Sequence, residues 1–387
     1  MSAYSADEQH LNRALELARH SIGLASPNPY VGAVITNQGE LVGEGSYTYD
    51  GVKHAEILAL EQAGAKARGG TLYINLEPHG HQGRTPPCTD ALIKAGIHRV
   101  VASMSDPNPK VSGCGFEQIR QAGVHVEVGQ LEEQARKLNE AFARYIRHST
   151  PLVTLKAAMT LDGKIAPAPA EAITANNGIP PGGWITSETA REHVHELRHE
   201  HDALLVGAGT ILSDNPLLTD RSGKPRRRPL LRVILDSRLR LPLDSRLVRD
   251  AASGHKNDVL VFCSSGDDEK QTALEKAGVR VEKIPAFESD GRPDLAAILR
   301  RLGEMEILSL VVEGGATING AALAARVVDK VFLYYAPKIL GGTGSVPFAA
   351  GPGFHLMTQA AQVQRLYLHR FGEDFAVEGY LRDPYSE

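Results

Sequence analysis

Thr71-Leu-Tyr-Ile-Asn-Leu-Glu-Pro-His-Gly-His-Gln-Gly-Arg-Thr-Pro-Pro-Cys88 reads as a strand, a long loop and the start of a helix in direct succession. The apolar run 71–75 stops before Glu77-Pro78. Pro86-Pro87 prepares a helix beginning near Cys88, since proline suits a first turn, where its missing N–H costs nothing. Upstream, His54-Ala-Glu56 opens another helical stretch, 55–67. A helix N-terminus carries partial positive charge, so a thiol placed there is expected to ionise more readily and to serve a cation as thiolate. His54, His79 and Cys88 can then offer two imidazoles and a thiolate to one ion, with Glu56 beside its water. Three ligands and an open fourth position describe a catalytic zinc. Residues i and i+2 do not share a face inside a helix, but in a first turn they can flank one point. Taken singly, His54 and Glu56 read as a helix cap with an exposed carboxylate; the Pro-rich loop ending in Cys88 moves the reading to a metal centre.

The alternation seen here continues in both directions. Apolar positions at helical spacing (Leu11, Ala14, Leu15, Leu17, Ala18, Ile22) predict a helix over 6–22. Short apolar runs at 31–35, 41–45, 71–75, 100–103 and 124–128 predict strands, with helices at 55–67, 89–95, 115–122 and 131–148. That is an α/β layered domain with a largely parallel sheet. Ser149-Thr150-Pro151 is the expected boundary, giving domains 1–149 and 150–387. A second alternation follows, with strands from Leu152 and at 203–206, 231–235, 259–263, 308–312 and 331–335. The Pro/Gly-rich stretch 166–183 reads as an exposed loop at the edge of a pocket.

The bulk numbers agree with two soluble domains. A chain of 387 residues exceeds a comfortable single core. A net charge of -4 argues against a polyanion binder, which needs a basic surface. Three cysteines without a pairing pattern fit a reducing compartment, and the polar start and the absence of a long apolar run lead to the expectation of a cytoplasmic protein without membrane partners.

The quoted loop, together with Ser26-Pro-Asn-Pro-Tyr-Val-Gly32, resembles that of the bifunctional riboflavin-biosynthesis deaminase/reductases. So do Leu161-Asp-Gly-Lys164, Trp184-Ile-Thr-Ser187, the segment Val206 to Arg221, Val312-Glu-Gly-Gly-Ala316 and Ala336-Pro-Lys-Ile-Leu-Gly-Gly342, all in the family's order. The resemblance implies a cytidine-deaminase-like three-layer α/β domain followed by a dihydrofolate-reductase-like α/β domain. It implies zinc-assisted hydrolysis of the 2-amino group of a phosphoribosylated diaminopyrimidinone, with Glu56 moving protons. An NADPH-dependent reduction of ribosyl to ribityl follows. Where this family has a cysteine after Glu-Pro, this chain has His79. Imidazole is a good zinc ligand, at ~2.0–2.1 Å against ~2.3 Å for sulfur, and one thiolate fewer leaves the ion more positive. The larger side chain requires the loop to retreat, and His81 competes for the same role.

Matching positions imply deaminase substrate contacts at Asn28, His81, Arg84 and Thr85. NADPH contacts fall at Ala158, Trp184, Thr210, Asp214, Ser237, Gly314, Gly315 and Ala316, and reductase substrate contacts at Gly182, Arg198, Leu218, Arg221 and Glu313. Gly182 stands where the family commonly has serine. Arginine suits a phosphate because its planar fork donates two hydrogen bonds at once. A homo-oligomer acting on a small molecule is the implied assembly. His193, His195, His199 and His201 read as a solvated helix face carrying Arg198 rather than a metal site, and Gly341-Gly342-Thr-Gly344 equally as a phosphate cradle or a turn. Two alternatives stay open: a reductase whose zinc-free N-terminal domain is only a scaffold, and a nucleobase-deaminase paralogue.

Overall fold

A computed structural model of the chain describes residues 5–83, 86–168, 183–254, 257–286 and 291–386. Arg84, Thr85 and Gly182, and residues 169–182 of the Pro/Gly-rich stretch, lie outside them. The chain divides into one unit up to Ser149 and another from Thr150, with residues 225–227 grouping with the first.

The first unit opens with α1 (Ala6–Arg19), whose first turn is closed by a reciprocal pair: the Ser5 hydroxyl accepts the Glu8 amide and the Glu8 carboxylate accepts that of Ser5. It ends short of the expected Ile22, where the chain turns through Gly23. There follow β1 (Gly32–Asn37), β2 (Glu40–Ser46), α2 (Ala55–Ala63), β3 (Thr71–Ile74), α3 (Cys88–Ala95), β4 (Arg99–Ala102), α4 (Cys114–Gln121) and β5 (His125–Val128). The strands stand in the order β2-β1-β3-β4-β5. Period-two alternation sorts their side chains: Ala33, Ile35, Leu72, Ile74 and Val100 pack with α2, α3 and α4, while Val34, Tyr73 and Val101 pack with α1. Three layers result.

Two expectations need correction here. Only β3, β4 and β5 run parallel; β1 is antiparallel to both neighbours, joined to β2 by a short hairpin and paired with β3 across the intervening α2. The single helix expected over 131–148 is two, α5 (Glu132–Leu138) and α6 (Glu140–His148). Asn139 breaks it: the side chain is buried and clamps Tyr30, accepting its amide at 2.8 Å and donating to its carbonyl at 3.1 Å.

The second unit runs β6 (Leu152–Thr160), β7 (Lys164–Ala166), α7 (Glu188–His199), β8 (Ala203–Gly207), α8 (Ala208–Asp214), β9 (Leu231–Leu235), α9 (Arg246–Gly254), β10 (Val259–Cys263), α10 (Asp268–Lys276), β11 (Arg280–Lys283), α11 (Leu295–Glu304), β12 (Ser309–Val312), α12 (Ala316–Ala324), β13 (Lys330–Ala336), β14 (Val346–Pro347), β15 (Gln364–Phe371) and β16 (Asp374–Tyr380). Nine strands form one sheet, β11-β10-β9-β8-β12-β6-β13-β16-β15, parallel as far as β13 and antiparallel over the last two pairings. Leu204, Val206, Val261 and Val311 meet α7, α9 and α10 on one face; Leu205, Leu260 and Leu310 meet α11 and α12 on the other. The hairpin β15–β16 escapes the sequence reading, since most of β15 is exposed and carries no clean apolar alternation. No described helix is long and apolar enough to cross a membrane.

Candidate functional site

Two features set α2 against its sheet. Ideal Cβ atoms on Gly43 and Gly45 of β2 would lie 2.1 and 2.2 Å from the carbonyl oxygens of Ala59 and Ala55, so only glycine lets strand and helix touch backbone to backbone. His54 is the cap residue of α2 in extended conformation, and Glu56 in the first turn is buried at 2 % exposure. The carboxylate is therefore not the exposed group of an ordinary cap; it is held inside the site.

The loop after β3 brings the other ligands in. The His79 carbonyl accepts the amides of Cys88 (2.8 Å) and Thr89 (3.3 Å), so the ligand-bearing loop closes directly on the N-terminus of α3. Glu77, quoted above only as part of a motif, proves structural: its buried carboxylate accepts the amides of Asp106, Gly113 and Gly115 at 2.8–3.0 Å. Gly115 is obligatory there, for a Cβ would stand 2.1 Å from the Pro78 carbonyl. Gln118 of α4 spans both ligand segments, donating to the Gly80 carbonyl and accepting from the Thr89 hydroxyl, each at 2.8 Å.

The donor atoms of His54, His79 and Cys88 consequently lie within 4.8 Å of one another, the one such group among the described residues. His54 Nδ1 and Cys88 Sγ are 3.1 Å apart. Donors around a tetrahedral zinc stand roughly 3.3–3.8 Å apart, given bonds of ~2.0–2.3 Å. The residues fit the ion on a second ground. His79 Nδ1 is buried without a hydrogen-bond partner, an arrangement that costs free energy unless something is bound nearby. Burial, with the neighbouring His81 and His54 imidazoles, holds His79 down at about 4, so it is the neutral, ligating form. His81 lies against His79, ring centroids 4.1 Å apart. Asn28 donates to the Tyr47 hydroxyl, and Tyr47 meets the His54 ring edge-on at 5.5 Å.

The pull of the helix terminus on the Cys88 thiol meets two opposing effects. Burial pushes the thiol well up, and the Glu56 carboxylate pushes it further by its charge and a hydrogen bond. Desolvation of a fully buried sulfur opposes the partial helix charge. A thiolate here requires a cation.

In the second unit, Gly207 and Gly315 precede α8 and α12, and both helix starts line a cleft of about 310 Å³ at the C-terminal ends of the parallel strands. In open parallel sheets that is where ligands bind. Of the positions expected to touch NADPH, Thr210, Ser237, Gly315 and Ala316 line it; Ala158, Trp184, Asp214 and Gly314 do not. Gly314 instead packs on α12, where a Cβ would strike Ile318 at 2.5 Å. Trp184 is exposed, with the Arg191 guanidinium 4.7 Å above its ring.

Arg198 and Glu313 meet as a bidentate pair at 2.7 and 3.0 Å, and Arg198 also donates to the Thr219 carbonyl. Leu218 and Arg221 flank Thr219, so the expected substrate residues are brought together, but the fork of Arg198 is largely engaged by Glu313 rather than presented to a phosphate. Lys156, missed in the sequence because it is one lysine in an apolar strand, places Nζ 3.4 Å from Glu313. Burial alone would push the Glu313 carboxyl up; Arg198 and Lys156 outweigh it and hold it at about 2.

The first 104 residues and the second half match different models. Residues 4–104 fit the cytidine and deoxycytidylate deaminase zinc-binding region, and residues 151–376 the RibD C-terminal domain. The riboflavin biosynthesis protein RibD of Synechocystis is 40% identical over 97% of this chain and 96% of its own. This chain belongs to the RibD family. RibD of Escherichia coli is 38% identical over 95% of this chain and 97% of its own. Among solved structures, Acinetobacter baumannii RibD has a TM-score of 0.81 at 33% identity, covering 97% and 98% of the two chains. The Thermotoga maritima deaminase/reductase gives 0.78 at 36%, with the same coverage. A RibD chain thus pairs a cytidine-deaminase-like domain with a RibD reductase domain, and its cofactors are Zn2+ and NADPH.

One further reading is corrected by the packing. The histidines of α7 and beyond are not a solvated face: His193 bonds the Tyr334 hydroxyl at 2.7 Å, buried His199 the Asp220 carboxylate at 3.1 Å, and buried His201 the Thr154 hydroxyl at 2.9 Å. In the Gly341 turn, the amides of Leu340 and Gly341 donate to the Asp162 carboxylate at 3.0 and 2.8 Å, so these two are committed within the turn.

Proposed function

We propose that this chain carries out two consecutive steps of riboflavin synthesis. The first unit, residues 1–149, acts as the diaminohydroxyphosphoribosylaminopyrimidine deaminase and the second, 150–387, as the 5-amino-6-(5-phosphoribosylamino)uracil reductase named for the Thermotoga relative. The observation carrying the reading is the convergence of His54, His79 and Cys88 beside buried Glu56. His54, His79 and Cys88 hold the metal. Zinc, when bound, supplies a Lewis acid and an acidified water. Glu56, 4.0 Å from His54 through its Oε1, takes one proton from the attacking water and gives it to the ring nitrogen, then takes the remaining hydroxyl proton and gives it to the amino group that departs as ammonia. Burial keeps that carboxylate away from bulk water, so its proton is not lost to solvent. Asn28 and His81 orient the pyrimidine, together with Arg84 and Thr85.

In the reductase, Thr210, Ser237, Gly315 and Ala316 seat the dinucleotide, whose diphosphate suits the α12 N-terminus, with Ala158, Trp184, Asp214 and Gly314 extending the site beyond the cleft. NADPH, when bound, supplies the hydride that turns ribosyl into ribityl. Arg198 and Lys156 keep Glu313 ionised as a fixed acceptor for substrate hydroxyls; Leu218 shapes the pocket and exposed Arg221 meets the phosphate, with Gly182, two residues before Trp184, as a further substrate contact. Zinc content and ammonia release test the pair of activities. The expected result is about one zinc per chain and ammonia from the diaminopyrimidine, both lost in Cys88→Ser. A zinc-free protein that releases no ammonia yet oxidises NADPH on the deaminated substrate would establish the scaffold reading instead. A gain of deamination by His79→Cys would then locate the defect.

The assembly is a homo-oligomer formed along β15. This edge strand exposes Leu366 (61 %) and Leu368 (76 %), and unpaired apolar edges are covered in stable proteins. Sedimentation is expected to give a dimer or larger for the wild type and a smaller species for Leu368→Glu; identical sizes would exclude this edge.

A further inference from the structure

The reductase cleft contains two arginines that nothing above uses. Arg240 follows β9 in the turn that holds Ser237, and Arg292 precedes α11; among the described residues lining the cleft they are the only ionised side chains. Both are exposed, so neither is needed to fill the core. The acid that follows β9 is placed differently. Asp236 is fully buried, and its Oδ2 accepts the Leu241 amide at 2.7 Å while Oδ1 lies 3.4 Å from Arg240 Nε.

Dinucleotide sites discriminate at the ribose next to adenine. An acid near the end of a strand accepts the 2'-hydroxyl of NADH and repels a 2'-phosphate, whereas an arginine accommodates that phosphate. Here the acid is turned inward, one oxygen on the Leu241 amide and the other toward Arg240 Nε, and the same turn sends the Arg240 guanidinium to the cleft. The diphosphate needs neither arginine, because helix-terminal amides with open space around Gly315 can serve it. Two guanidiniums lining the cleft that Ser237 also lines, Arg240 with only its Nε turned to Asp236, are therefore surplus to NADH and matched to one further dianion.

We propose that Arg240 and Arg292 are the specificity-determining residues that select NADPH over NADH by binding its 2'-phosphate. The proposal rests on the cleft being the cofactor site. Calorimetric titration with 2',5'-ADP and with 5'-ADP separates the two claims, since these fragments differ only in the phosphate at issue. The wild type is expected to prefer 2',5'-ADP by on the order of a hundredfold, and Arg240→Ala and Arg292→Ala each to lower that preference about tenfold. In the double variant the ratio approaches one, with 5'-ADP affinity within about threefold of wild type. The lysine variants retain part of it, and KM for NADPH rises while kcat at saturation stays. A double variant that keeps the preference, or loses both nucleotides equally, overturns the proposal. A wild type that binds neither fragment overturns the cofactor reading of the cleft, and this inference with it.

Discussion

Glu56→Gln is expected to abolish deamination, by about 10²–10⁴-fold or more, with zinc content and NADPH-dependent reduction of the deaminated substrate unchanged. Glutamine keeps the size of the side chain in a site where Glu56 is only 2 % exposed, so packing survives. What disappears is a group able to take and return a proton. Zinc should not be lost, because the Glu56 charge opposes ionisation of Cys88 and its removal eases formation of the thiolate. Ammonia release measured beside metal content distinguishes these effects. Deamination within tenfold of wild type would show that protons move by another route.

Glu313→Gln is expected to destabilise the second unit by about 3–5 kcal/mol and to eliminate reductase activity. The reason is that Arg198 and Lys156 then remain largely buried without their counter-charge. Its acid dependence follows from the depressed carboxyl. A group held at about 2, against 4.5 when unperturbed, stabilises the fold fully above the unfolded value, and that contribution is lost as pH falls through about 2. Urea denaturation of the wild type should therefore show this term intact at pH 6 and fading between about pH 4 and 2. The glutamine variant lacks that part of the slope. A midpoint unchanged by the substitution would remove Glu313 as the organiser of the cluster.

How far the residues themselves could be read depends on the range of the interaction. Strand periodicity and Pro-Pro before Cys88 are local, and they placed β3, α3 and the first turn of α2 within a residue or two. Asn139 shows where such reading ends. Nothing within a few positions marks it as a break; its partner Tyr30 is far away in sequence. The hairpin β15–β16 was illegible for a related reason, its outer strand having too few buried side chains to impose an alternation. Lys156 looked like any lysine until folding set it beside Glu313.

The donor set at the metal centre was chemically legible: imidazole, imidazole and thiolate, with a carboxylate two residues from the first. Ligand identity is a property of side chains, and the two helix starts follow from local backbone preference. The protonation state of Cys88 was not legible. A thiol at a helix start is activated if solvated and suppressed if buried, and only the packing of α2, α3 and α4 over the sheet decides which. The same division holds in the reductase. The sequence by itself supplied Ser237 and the glycines. That Asp236 faces inward while Arg240 and Arg292 reach one cleft was decided by tertiary structure, because burial and charge proximity arise only when distant segments meet.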